Sequence, residues 1–187
     1  MTSLYPPTLF LDRDGVVNER TPGDYVRSPD AFVPVEGLGP AMQLLTMLFG
    51  RIVVVTNQAG IGKGLMSEAD LAAVHHKMQQ IVQQGGGRID RAYYCPHRSD
   101  AGCDCRKPAF GMALQAQRDF PDIDFQNSWM VGDSASDMAF GQGLGMRTAL
   151  IEGKAEEAEI LAAMKVDVRC KSLLEFAEFV KIFNERK

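Results

Sequence analysis

Short apolar, β-branched runs alternate along this chain with longer stretches of helical periodicity, and that alternation restricts the fold more than any other feature of the sequence. Strands buried on both faces read as continuous hydrophobic runs, and joining them in parallel requires crossover helices. Thr8 to Leu11, Ile52 to Val55, Ile89 to Tyr94, Ser128 to Val131 and Arg147 to Ile151 are predicted strands, each short enough for the centre of a sheet. Helices are predicted at Pro40 to Phe49, Phe110 to Arg118, Ser136 to Gly141 and near Leu173 to Ile182. The clearest starts at Ser67, where Asp70 makes a capping-box pattern, and runs through Leu71, Val74, Met78 and Val82 to the stop at Gly85-Gly86-Gly87. His75 and His76 fall on this helix and are expected at its surface. The expected fold class is α/β, a three-layer α/β/α arrangement around a central parallel sheet.

At 187 residues the chain suits one domain, residues 1–187, with a core large enough to stand without disulfides. Lys and Arg number 20 against 24 Asp and Glu, and no dense basic stripe offers a footprint for nucleic acid. Apolar runs such as Ile52 to Val55 fall far short of the roughly 20 residues that span a bilayer. The N-terminus lacks the basic start and apolar segment of a signal peptide. A soluble, cytoplasmic monomer is expected, with neither nucleic acid nor membrane as a partner.

The polar residues of chemical interest sit where strands hand over to loops, and in open parallel sheets ligands bind just outside those carboxyl ends. Asp12-Arg13-Asp14 follows the first strand, and extended backbone sends alternate side chains to one side, with Arg13 pointing elsewhere. Two neighbouring carboxylates repel unless a cation or shared proton intervenes, and Mg²⁺ prefers such oxygen ligands. One Asp can then attack phosphorus while the other, its pKa raised by its neighbour, shuttles the proton. Taken alone, Asp-x-Asp fits a solvated turn equally well. Thr56-Asn57-Gln58 ends the second strand in a hydroxyl and two amides, and the glycines after Ala59 would let backbone N–H groups approach an anion. Its bland reading is an ordinary turn. Arg106-Lys107-Pro108 offers two cations for phosphate, or a solvated pair. Gly132-Asp133 through Asp137 puts one acid at a strand end and another where a helix begins, as metal ligands or as helix caps.

The order Asp-x-Asp-Gly, Thr-Asn-Gln, Arg-Lys-Pro, Gly-Asp-x-x-x-Asp resembles the haloacid dehalogenase (HAD) superfamily, subfamily IIIA. Within it, Leu11-Asp12-Arg13-Asp14-Gly15, Val54-Val55-Thr56-Asn57-Gln58-Ala59-Gly60-Ile61, Tyr93-Tyr94-Cys95-Pro96-His97 and Cys103-Asp104-Cys105-Arg106-Lys107-Pro108 are similar to the heptose bisphosphate phosphatases and the related histidinol phosphatases. The likeness runs from about Thr8 to Gly153. It implies a Rossmann-like HAD fold and hydrolysis of a small phosphorylated metabolite, a phosphate monoester, through an aspartyl-phosphate. It implies Asp12 as nucleophile, Asp14 as acid and base, and Thr56 and Lys107 steadying the phosphoryl group. Asn57, Gln58, Arg106 and Lys107 would bind substrate. Asp12, the Asp14 backbone carbonyl and Asp133 would hold Mg²⁺, with Asp137 orienting Lys107 or a metal-bound water.

Cys95 and His97, then Cys103 and Cys105, supply three thiolates and an imidazole over about residues 95–105, the donor set of a closed structural zinc site. The tight spacing also suits ordinary buried thiols, and the resemblance favours zinc. Between Asp14 and Thr56, and between Thr56 and Lys107, the expected elements leave no room for a cap domain, so a capless enzyme is predicted with Glu19 to Tyr25 as a flap. Gly23-Asp24-Tyr25 departs from the heptose flap pattern, and the five-residue zinc spacer resembles histidinol phosphatases. Gly60 to Gly64 and Gly111-Met112 lie closer to the heptose enzymes, whose substrate would react at its 7-phosphate. A phospho-receiver module normally carries its acceptor after a later strand. A zinc-built interaction module is the remaining alternative. No cysteine is followed six positions on by Arg, which excludes a cysteine phosphatase.

Overall fold

Leu9 and Leu11 pack into one hydrophobic cluster and Phe10 into another, so the first strand, β1 (Thr8–Leu11), divides two cores. The computed structural model describes residues 7–21 and 23–185. The first six residues, read above for targeting signals, and Pro22 of the flap lie outside the described residues. After β1 come α1 (Leu38–Leu48), β2 (Arg51–Asn57), α2 (Ala59–Gly62), α3 (Glu68–Gln84) and β3 (Arg91–Cys95). The second half adds α4 (Gly111–Asp119), β4 (Trp129–Gly132), α5 (Ala135–Gly143), β5 (Arg147–Ile151), α6 (Ala158–Ala163), β6 (Val168–Cys170) and α7 (Leu173–Glu185).

The six strands are parallel, in the order β3-β2-β1-β4-β5-β6. Strand side chains alternate between faces. Ile52, Val54, Trp129 and Val131 therefore join Leu9 and Leu11 against α1, α3 and α7, while Val53, Val55 and Met130 join Phe10 against α4 and α5. The expected three-layer α/β/α architecture follows from this alternation. From β1 the chain moves outward to β2 and β3, then returns to the other side of β1 for β4. The loops leaving β1 and β4 thus diverge and open a crevice at their carboxyl ends.

Strand limits differ from expectation where hydrogen bonding outruns hydrophobicity. β2 continues to Asn57 because Thr56 and Asn57 pair with Tyr94 and Cys95 of β3, so β3 ends on the first cysteine of the metal-type cluster. β6 and α6 escape sequence reading: Val168-Arg169-Cys170 is three residues with an exposed cation in the middle, too short for any period to register. The Ser67 capping box forms in full, with Ser67 Oγ accepting from Asp70 N at 3.1 Å and Asp70 Oδ2 from Ser67 N at 2.8 Å. Among the described residues no inserted domain separates Asp14 from Thr56 or Thr56 from Lys107.

The layer of α7 rests on Phe176, which is fully buried and meets the Trp129 ring edge-on at 5.4 Å. Phe176→Ala is expected to cost about 3–5 kcal/mol, read as a lower urea midpoint at unchanged slope.

Candidate active site

Four separate elements deliver polar or charged groups to the crevice. Asp12 leaves β1, Thr56 and Asn57 end β2, Lys107 comes from the segment between β3 and α4, and Asp133 follows β4. They line a cleft of about 560 Å³ together with Asp14, Arg106 and Asp137. At its base, Lys107 Nζ is buried and donates to Asp12 Oδ1 at 2.7 Å and Val55 O at 2.6 Å, with Asp137 Oδ1 also 2.6 Å away. Burial alone would lower the lysine pKa, but the Asp12 and Asp137 charges outweigh it and hold the ammonium protonated. Asp137 also completes a capping box for α5, its Oδ2 accepting from Ser134 N at 3.1 Å and Ser134 Oγ at 2.6 Å.

The carboxylates of Asp12, Asp133 and Asp137 lie within 4.8 Å of one another. Burial pushes Asp12 up to about 6, with Lys107 opposing and the nearby carboxylates reinforcing. Burial and then the charges of Asp12 and Asp137 push Asp133 up to about 7. Gly15, at φ +91°, lets the loop pass Asp133: a Cβ there would stand 2.3 Å from Asp133 Oδ2. Because Lys107 already neutralises much of Asp137, Asp12 and Asp133 remain as crowded oxygen donors in want of a cation, which fits a hard divalent ion.

Asp14 differs from expectation. Its carboxylate turns from the other acids and accepts from Arg13 Nη2 at 2.9 Å on both oxygens, from Asn18 Nδ2 at 2.9 Å and from Gln58 Nε2 at 2.9 Å. Burial would raise its pKa, but the Arg13 charge and these donors prevail and hold it below the ordinary carboxylate range. The raised pKa expected from a neighbouring carboxylate is therefore corrected. Arg13, expected to point elsewhere, is fully buried and folds back onto Asp14.

Two amides expected to meet substrate are otherwise engaged. Gln58 has 0% exposure and does not face the cleft; its Nε2 bridges Asp14 and Thr56 Oγ1, 2.9 Å away. Asn57 lines the cleft, but its Oδ1 accepts from Lys107 N at 3.0 Å and its Nδ2 donates to Lys107 O at 3.2 Å. It clamps the backbone that carries Lys107. The glycine run also differs from a phosphate cradle, since Gly62 N donates to Pro96 O and a Cβ on Gly62 would stand 2.8 Å from that oxygen. Its role is close packing against the cysteine loop. His75, expected at the surface, is half-buried with Nε2 3.4 Å from Arg13 Nη1, whereas His76 is exposed.

Sequence reading missed the rim. Arg20 approaches Asp133 at 3.7 Å and Glu156 at 3.3 Å, and Lys63 lies 5.3 Å from the centre of the Tyr25 ring. Isolated charges in loops carry no pattern by which to find them. Arg106 also lines the cleft, and its buried Nη1 has no hydrogen-bond partner.

Beside this cleft, Cys105 Sγ lies 3.0 Å from Cys95 Sγ, 3.5 Å from Cys103 Sγ and 3.2 Å from His97 Nδ1. All four cysteines are free thiols. A tetrahedral zinc with bonds of about 2.3 Å sets its sulfurs about 3.8 Å apart; the three thiols and the imidazole converge on one point as such a site requires, with sulfur separations of 3.0 to 3.5 Å that would have to open slightly around an ion.

Comparison with known proteins decides the family. The chain is 40% identical over 172 residues to D-glycero-alpha-D-manno-heptose-1,7-bisphosphate 7-phosphatase of Mycobacterium bovis, covering 90% of this chain and 88% of the relative. The chain belongs to the heptose-1,7-bisphosphate 7-phosphatase family. D-glycero-beta-D-manno-heptose-1,7-bisphosphate 7-phosphatase of Vibrio cholerae is also 40% identical, over 86% of this chain and 91% of the relative. The HAD-hydrolase-like family model matches residues 104–176. The crystal structure of D,D-heptose 1,7-bisphosphate phosphatase from B. bronchiseptica, complexed with magnesium and phosphate, superposes with a TM-score of 0.85 at 34% identity, over 96% of this chain and 99% of that one.

The raised pKa values of Asp12 and Asp133 carry a sign. The metal-free folded protein retains protons that the unfolded chain releases above its ordinary carboxylate pKa of 3.8, so the associated stability is full below that value and lost as pH rises through about 7. In magnesium-free buffer the thermal midpoint is expected to fall across that window. Asp133→Asn should flatten the fall, and added Mg²⁺ should reverse it at the upper end.

Proposed function

We propose that this protein hydrolyses the 7-phosphate of D-glycero-D-manno-heptose 1,7-bisphosphate through a phosphoryl-enzyme on Asp12. The observation that carries the reading is the buried Lys107 ammonium between Asp12 and Asp137, which donates to an Asp12 carboxyl facing an open polar cleft and opposes the burial that favours its protonated form. The names and coverage of the relatives supply the substrate.

An Asp12 oxygen attacks phosphorus, the bond from phosphorus to the sugar oxygen breaks, and Asp14 gives that oxygen its proton. Water then attacks the aspartyl-phosphate, Asp14 takes the proton back, and Asp12 is released with inorganic phosphate. Its three-sided set of donors favours Asp14 as carboxylate, the form needed to activate water; the acid step draws on the minor protonated form, which the water step regenerates and which the same donors make a stronger acid. Thr56 Oγ1 accepts from Gln58, which leaves its own proton free to donate to a phosphoryl oxygen. Lys107 balances charge on the transferring group. Asp12, the Asp14 carbonyl and Asp133 would hold Mg²⁺, which supplies Lewis-acid compensation of the phosphoryl charge when bound. Arg106 and Lys63, on the cleft wall, offer counter-charge to the second phosphate of a bisphosphate.

Cys95, His97, Cys103 and Cys105 hold structural zinc in this reading, which fixes the loop that leads directly into Arg106 and Lys107. No described helix is long and apolar enough to cross a membrane. A cytoplasmic setting belongs to the same reading, since a reducing compartment keeps such clustered cysteines available to a metal.

A phosphate-release screen over both heptose bisphosphate anomers, histidinol phosphate and common sugar phosphates tests the assignment by kcat/KM. Heptose bisphosphate is expected to lead, and Asp12→Asn to lose at least about a thousandfold with fold and zinc content intact. A preference for histidinol phosphate would overturn the substrate. Cys105→Ser is expected to lose zinc by metal analysis, lower the thermal midpoint and raise KM.

A further inference from the structure

The contact of Arg13 with His75, beside the cleft, has no part in the chemistry so far. Arg13 stands between Asp12 and Asp14 in the chain, and its fully buried guanidinium donates to Asp14 from Nη2 at 2.9 Å and from Nε at 3.3 Å. The other terminal nitrogen, Nη1, reaches His75 Nε2 on α3 at 3.4 Å. Arginine keeps its protons in proteins, so the imidazole must accept at Nε2 and carry its own proton on Nδ1. Burial first, and then the Arg13 charge, push His75 down to about 4, so the ring remains a neutral acceptor.

His75 is itself well placed. Leu71, Val74 and Met78, on the same helix, are buried in the core, and the imidazole meets the Tyr94 ring edge-on at 6.2 Å. The histidine therefore gives the guanidinium a fixed second anchor on a rigid element. Without it, Nη1 loses this acceptor in a buried setting and the fork that frames Asp14 is free to turn. Asn18 and Gln58 would then hold the carboxylate by one bond each.

We propose that His75 is a positioning residue for the Asp14 proton shuttle, acting through Arg13 on the geometry of the carboxylate. The inference rests on the assignment of Asp14 as acid and base. In the first step an alkyl leaving oxygen needs a proton as its bond to phosphorus breaks, whereas p-nitrophenolate departs without one. Loss of Asp14 positioning therefore separates the two kinds of ester, and a general loss of structure does not.

The test compares kcat/KM for heptose 1,7-bisphosphate and for p-nitrophenyl phosphate in His75→Leu, His75→Gln, Arg13→Lys and Asp14→Asn, with thermal midpoints for each. His75→Leu is expected to lose about ten- to a hundredfold on the sugar phosphate and no more than about twofold on the aryl ester. The loss should lie in kcat, with KM nearly unchanged. His75→Gln, whose amide oxygen can accept from Nη1, should recover most of it, and Arg13→Lys, which keeps the charge without the fork, should reproduce the discrimination. Equal losses on both esters, a loss confined to KM, or full sugar-phosphate activity in folded His75→Leu overturns the proposal. If Asp14→Asn discriminates between the esters and His75→Leu does not, the role of His75 alone is refuted. If Asp14→Asn does not discriminate, the proton-shuttle assignment falls and this inference with it.

Discussion

The ammonium of Lys107, enclosed between Asp12 and Asp137 and capped by the carbonyl of Val55, is the contact on which the other parts of the site depend. A buried cation is costly unless paired and hydrogen-bonded, and here the compensation comes from β1, from α5 and from the interior of β2. Three elements distant in sequence are thereby drawn to one point. Asn57 adds a backbone clamp on the same residue, so the end of β2 fixes both the charge of Lys107 and the path of the chain around it. Asp137 serves twice, as partner to Lys107 and as the cap of α5, which ties the start of that helix to the floor of the cleft.

Around this centre the polar residues form two shells with different tasks. Asp12 and Asp133 crowd together with pKa values displaced upward, a carboxylate pair that favours a cation. Asp14 sits among Arg13, Asn18 and Gln58 with its pKa displaced downward. Two acids separated by one residue in sequence are thus driven in opposite directions by their surroundings, Asp12 upward and Asp14 downward, and a cation held by Asp12 and Asp133 would draw the first back toward the carboxylate. Gln58 links the shells, since one amide nitrogen reaches both Asp14 and Thr56.

Much of this was legible in the residues themselves. The central strands announced themselves by hydrophobic runs, the Ser67 helix by its capping box, and the placing of Asp12, Thr56, Lys107 and Asp133 by their position after strands or inside a recognisable motif. The errors share a cause. Sequence position says which face of an extended segment a side chain leaves from, but not where a long side chain ends: Arg13 doubles back, Gln58 turns beneath the site, and His75 reaches inward from a helix side that looked solvated. Edge strand β6 failed for a different reason, since three residues cannot display a period. The rim charges Arg20 and Lys63 reach the cleft only through loop packing, for which local sequence offers no rule.

That no inserted domain stands between the motifs among the described residues also bears on how a cycle of reaction is paced. An enzyme that must swing a lid spends part of each turnover opening and closing it, and that motion often sets the rate. In this chain water already has a route to Asp12 from the open side of the cleft, and spent phosphate can depart by the same route. An open cleft of this kind asks for no large hinge rotation among the described residues, so bond making, bond breaking and desorption would set its tempo.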